Sequence, residues 1–188
     1  NGGWRRGAAL AEGKFLTIDQ DKAVAHIEAP QDKEISKLSI ELNATYVCYG
    51  AKGQEGLSNQ TAQDSNAFAK APAGAAVQRA ITKSSANYYN TSWDLVDATK
   101  RGKMKLESVK ELELPEELRK LAPADRQAFI DQKQAERERL QKRIQELNKE
   151  RQQFVAEKQK ASGEAKTLDT AIATTLREQA AKKEIKFQ

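Results

Sequence analysis

The residues of this chain that could do chemistry are few, and each lacks the company its chemistry needs. His26 is the only histidine. General acid–base work needs a second reacting group placed beside it, and no Gly-x-Ser-x-Gly run or Cys/His arrangement accompanies it, so a structural or exposed histidine is expected. Cys48, the only cysteine, lies between Tyr46 and Tyr49, where a small buried hydrophobe is the expectation rather than a nucleophile; it leaves no internal disulfide to form. Asp19-Gln20-Asp21 opens like a calcium loop, yet Val24 and Pro30 stand where the loop's sixth-position Gly and twelfth-position Glu belong. Gly50-Ala51-Lys52-Gly53 is too short to cradle phosphates. No catalytic, cofactor-binding or metal-ligating set emerges, and a non-enzymatic chain is expected.

Composition narrows the classes further. Of 188 residues, 31% are charged, 38% hydrophobic and 6% aromatic, so a single large core is not expected. No run approaches the roughly 20 apolar residues that span a bilayer. The net charge of +5 comes from 32 cationic and 27 anionic side chains, interleaved as in Glu136-Arg137-Glu138-Arg139. A nucleic-acid binder gathers its cations on one stripe to neutralise phosphates; here the signs alternate within a helical turn. One rival reading is a basic helical arm for nucleic acid or another polyanion, which needs Arg137, Arg139, Lys142 and Arg143 to escape their acidic neighbours. The other is an accessory domain of an enzyme whose active site lies outside this chain. The chain opens at Asn1 without an initiating Met, so a fragment or processed product is expected.

Three segments must position whatever the chain presents. Residues 1–50 read as α/β: a helix over Trp4–Ala11 ended by Gly13, a strand at Lys14–Ile18, a short extended run with Val24 and Ile27, and a helix capped by Asp32 with Ile35, Leu38 and Leu42 on one stripe. Residues 51–122 are rich in Ala, Gln, Asn and Ser. They predict helices over Gln54–Lys70 and Ala75–Tyr89, a short one capped within Asn90-Thr91-Ser92 that carries Trp93, Leu95 and Val96 and stops at Gly102, and two pieces joined at Leu114-Pro115. In residues 123–188, Pro123–Ala161 holds no internal Gly or Pro and is built of good helix formers, enough for roughly 55–60 Å of helix. Ile130, Leu140, Ile144, Leu147 and Phe154 mark a coiled-coil-like seam, interrupted by Lys133, Arg137 and Arg151. After Ser162-Gly163, a helix capped by Thr167 carries Leu168, Ala171, Ile172, Thr175 and Leu176. A long antiparallel helical hairpin follows, with Ile172 and Leu176 packed on Leu147 and Phe154. Leu140, Ile144, Leu147, Phe154, Ile172 and Leu176 are the candidate interaction residues, for a protein partner or for self-association through the long helix.

Particular runs carry a resemblance. Gly3-Trp4-Arg5, Ala8-Ala9-Leu10-Ala11-Glu12-Gly13-Lys14-Phe15 and Ile18-Asp19-Gln20 resemble the closing segment of a von Willebrand factor A (VWA) domain, of the bacterial kind that a helical extension follows. The extension is similar in Glu41–Val47, Ala76–Ala80, Ser92–Ala98 and Leu114–Leu118. The resemblance covers most of the chain. It implies a mostly α fold, the end of an α/β VWA domain followed by helices, with Lys14–Ile18 as last strand and Asp32–Leu42 as final helix. It implies a protein-interaction role at the periplasm or cell envelope. The family's divalent-cation site uses an Asp-x-Ser-x-Ser loop that does not occur in this sequence, so no metal ligand is assigned to any residue here; a divalent cation is expected only in an upstream part.

Overall fold

A computed structural model of the chain describes residues 2–13, 15, 26–71, 74–162, 168–183 and 185. Eight α-helices follow one another among them: α1 (Gly2–Leu10), α2 (Asp32–Asn43), α3 (Gly53–Ala69), α4 (Ala75–Lys83), α5 (Leu95–Lys100), α6 (Glu116–Arg119), α7 (Pro123–Ser162) and α8 (Leu168–Lys182). Two 3-10 turns, Leu106–Ser108 and Glu111–Glu113, precede α6. The protein is mostly α-helical. No strand occurs among the described residues, and the only sheet-like pairing there is a single antiparallel bridge between Cys48 and Asp94. Of the strand expected at Lys14–Ile18 only Phe15 is described, without strand structure, and the extended run at Val24 and the cap at Thr167 fall outside the described residues.

Within the helical part the sequence reading needs three corrections. Asp32 does not cap α2: Gln31 is the cap residue, and Asp32 stands in the first turn with its carboxylate accepting from the Ala29 N–H at 3.2 Å. The second Ala-rich helix stops at Lys83 and does not reach Tyr89. The Ser84 hydroxyl donates to the Ile81 carbonyl at 2.7 Å and the Ser84 N–H turns back to Ala80 and Ile81, closing the last turn. The short helix starts at Leu95, so Asn90-Thr91-Ser92 is not its cap and Trp93 precedes it. Asp94 caps it, accepting from the Asp97 N–H at 2.9 Å. Pro115 does divide helical pieces, and the forty-residue α7 starts on Pro123.

Contacts divide the chain into two units, Glu28–Phe154 and a smaller one of Asn1–Ile27 with Val155–Gln188. In the larger unit the core lies in three pockets of side chains. Ile35, Leu38 and Leu42 of α2 meet Val77 and Ala80 of α4 and Leu140, Ile144 and Leu147 of α7. Val47, Leu95, Val96, Leu106, Val109, Leu114 and Leu118 gather about Ile130. Tyr46, Cys48 and Trp93 form the third. Helix α2, placed by sequence in a 1–50 segment, thus packs within the larger unit. In the smaller unit α1 ends as the Gly13 N–H bonds the Ala8 carbonyl at 2.8 Å, Arg5 lies over the Phe15 ring at 5.5 Å, and Lys183 pairs with Glu12 at 3.4 Å. On α1 two large apolar side chains stay open to solvent, Trp4 and Leu10, 78% and 79% exposed.

Candidate functional site

Positions 130, 137, 144 and 151 of α7 are seven residues apart, as are 133, 140, 147 and 154. This is the heptad seam, and a helix with a 3.5-residue apolar period presents such positions along one side. Leu140, Ile144 and Leu147 are buried in it, covered by α2 and α4. In these three side chains the seam is therefore occupied within its own chain. Phe154 is half-buried at the end of the larger unit. Ile172 and Leu176 belong to the smaller unit and are 40% and 51% exposed.

The charged interruptions of the seam turn out to be its most specific contacts. Arg137, 4% exposed, reaches into the α5 cap. Its Nη1 donates to Asp94 Oδ2 at 2.6 Å and Asp97 Oδ1 at 2.9 Å, its Nη2 to the Thr45 carbonyl at 2.7 Å, and its Nε to Thr45 Oγ1 at 2.9 Å. The guanidinium also lies over the Tyr46 ring, 4.6 Å from its centroid. Asp94 is itself fully buried and accepts from the Val47 N–H at 2.8 Å. Burial works against the Arg137 charge, but Asp94 and Asp97 more than offset it and hold its pKa above the usual arginine value. Burial pushes the Tyr46 phenol well above its ordinary value, against the opposing pull of Arg137. One turn from the end of the seam, Arg151 Nε donates to Asp32 Oδ1 at 2.6 Å, which is the work Asp32 does in place of capping. Lys133 donates to the Ala44 carbonyl at 3.1 Å.

A second polar knot joins α2, α3 and α4. Lys83, fully buried, donates to Asp64 Oδ2 at 2.6 Å, Asn43 Oδ1 at 2.7 Å and Ser39 Oγ at 3.2 Å. Arg79 donates to the other Asp64 oxygen and to Gln60 Oε1, the latter at 3.2 Å, and the Tyr88 hydroxyl donates to the same Gln60 oxygen. Burial is the largest influence on both partners of the central pair. For Asp64 the donors from Lys83, Asn43 and Arg79 overcome it and hold the carboxyl below the usual range; for Lys83 burial prevails and draws the ammonium below the usual lysine value. Beside this knot, α3 and the Tyr88–Trp93 segment enclose a cleft of about 290 Å³.

Sequence reasoning singled out neither Lys83 nor Asp94. For Lys83 a signal existed: it falls on the same helical stripe as Val77 and Ala80, a position a solvated lysine has no reason to take. For Arg137 and Arg151 the signal was their place on the heptad. Of the residues first weighed for chemistry, Cys48 borders the Arg137 cluster through its bridge to Asp94. His26 is exposed, and Cys48 is buried with its thiol pushed up by burial and by Asp94, the reverse of an activated nucleophile. Among the described residues no group of three or more His, Cys, Asp or Glu side chains is placed to hold a metal ion, and no helix is long and apolar enough to cross a membrane. Comparison with protein-family models, with curated proteins and with solved structures finds no match to this chain.

Proposed function

We propose that this chain is a non-enzymatic, protein-interaction or scaffolding segment of a bacterial VWA-domain protein, working at the cell envelope, in which the helices that follow the VWA domain hold α7 as a platform for a protein partner. The family and the compartment rest on the resemblance of the runs around Trp4–Phe15, Glu41–Val47 and Ser92–Ala98. The observation that carries the mechanical part is the Arg137 clasp. Five hydrogen bonds tie one α7 side chain to Thr45, Asp94 and Asp97, so the helix meets a partner already ordered and without the entropy cost of folding on contact. The outward side of α7 then offers charge of both signs, among them Arg139, Lys149 and Glu150, all exposed.

The polyanion-binding alternative loses two of the cations it needs. Arg137 is buried on two aspartates, and Arg143 pairs with Glu34 at 2.8 Å. The test is photo-crosslinking in the producing cells, with a photoreactive residue at position 139 or 149 of the full-length protein. A discrete adduct to one other protein is expected from at least one position. Uncrosslinked protein alone at both positions, or an adduct that nuclease removes, overturns the proposal.

A further inference from the structure

We infer that Lys83 and Asn43 are the two halves of an intramolecular amide cross-link, formed when the lysine amine attacks the asparagine side chain with Asp64 carrying the proton. Three helices bring these groups to one point. Asn43 is the last residue of α2, Lys83 the last of α4, and Asp64 stands within α3. Their contacts close a triangle. Lys83 Nζ donates to Asn43 Oδ1 at 2.7 Å and to Asp64 Oδ2 at 2.6 Å, and Asn43 Nδ2 donates to that same Asp64 oxygen at 2.6 Å. The amine therefore touches the carbonyl it attacks, and one carboxylate oxygen touches both the attacking nitrogen and the nitrogen that leaves. Pairing the buried charge takes only Lys83 and Asp64; the carboxamide laid across both adds an electrophile.

A lysine is a nucleophile only as the neutral amine, and a desolvated site favours that form. Lys83 is fully buried, and burial draws its ammonium below the usual lysine value. Proton transfer along the contact from Nζ to Asp64 Oδ2 frees the lone pair. That pair adds to Asn43 Cγ, forming the new C–N bond and moving the carbonyl π electrons to Oδ1. Asp64 then gives its proton to Nδ2 and takes one of the two that Nζ still carries. The Cγ–Nδ2 bond breaks, its electron pair leaving with ammonia, and the carbonyl re-forms on an amide N–H. Ammonia takes the last proton from Asp64 and departs as ammonium, so lysine ammonium and carboxamide become amide and ammonium with no co-reactant. Fixing the groups on three packed helices supplies the proximity, for which effective concentrations of about 10⁵ M or more are known. Arg79, bonded to the other Asp64 oxygen, favours the ionised carboxylate, so proton transfer is uphill and the link accumulates slowly. The ionic behaviour of Asp64 is that of the chain before linking. This inference stands apart from the partner-binding role of α7 and can hold or fail without it.

The experiment follows the intact mass of the whole chain, kept folded at neutral pH over days. A species lighter by one ammonia, about 17 Da, is expected to grow with time. Its tryptic digest should contain a branched peptide in which the Asn43 segment is joined to Lys83 Nζ, with cleavage after Lys83 lost. Lys83→Arg keeps a cation beside Asp64 but no attacking amine, and should stay at full mass. Asp64→Asn keeps the shape and removes the proton carrier, and should slow the change about a hundredfold. Should either variant unfold, the branched peptide of the parent decides alone. Full mass in the parent throughout, a loss of ammonia that folded Lys83→Arg retains, an undiminished rate in folded Asp64→Asn, or a digest without the branched peptide overturns the inference.

Discussion

A guanidinium keeps its charge wherever it is placed, so Arg137 and Arg151 can enter the interior only where carboxylates await them. Asp94 and Asp97 meet the first and Asp32 the second. Such pairs are poor evidence of net stabilisation, because desolvation offsets much of their attraction. Removing one partner is different, since the other is left charged and dry. Arg137→Met keeps most of the side-chain volume and strands the Asp94 carboxylate, fully buried with its remaining donors. It should lower stability by about 3–5 kcal/mol, read as a shifted urea midpoint; an unmoved midpoint contradicts the clasp.

At the scale of elements, α3 and Trp93 meet so closely that one methyl group decides the sign of a substitution. Gly→Ala within a helix ordinarily gains about 1 kcal/mol. At Gly56 the new Cβ would stand 2.4 Å from Trp93 Cγ, and the indole has Tyr46 against it, with ring centroids 5.2 Å apart. Gly56→Ala should therefore destabilise by about 1–3 kcal/mol, seen as a lower melting temperature with altered tryptophan fluorescence. A higher melting temperature would mean that the ring can yield. The same region marks the limit of what sequence could tell. Helix α7 was legible to within a residue of its end, since composition and the absence of Gly and Pro speak with one voice there. The stripe of α2 was legible from the spacing of Ile35, Leu38 and Leu42. The start of α5 was not: Asn90, Thr91, Ser92 and Asp94 are all good caps, and the choice falls to Asp94 because an arginine 43 positions along the chain binds it. The candidate cleft was hidden as well, because an amide-rich helix with few large apolar residues reads as a solvated one until Tyr88 and Trp93 are brought over it.

Across the larger unit, ionic partners join elements far apart in the sequence, and acid should loosen them together. Asp64, held by donors from Lys83, Asn43 and Arg79 against the cost of its burial, lies below its ordinary value of 3.8. Glu111, bonded by Arg126, and Glu138, bonded by Lys100, lie below 4.5. A carboxyl depressed in the folded state contributes stability above its ordinary value and gives it up as the pH falls through the folded one. The melting temperature should thus hold above about pH 4.5 and fall beneath it. Asp64→Asn should melt lower than the parent at neutral pH and converge with it in acid. Curves that stay parallel throughout would remove Asp64 from the account.

The alternation of leucine, isoleucine and arginine along α7 also governs which surfaces could ever substitute for its present neighbours. A greasy helix that slid onto the stripe would satisfy Leu140 and Ile144 while sealing two cations away from both water and counter-ions, a penalty of several kcal/mol. Only a surface bearing acids at matching heights escapes that penalty. The stripe is thus matched to acids at the heights of Asp94, Asp97 and Asp32 and mismatched to a plain apolar helix.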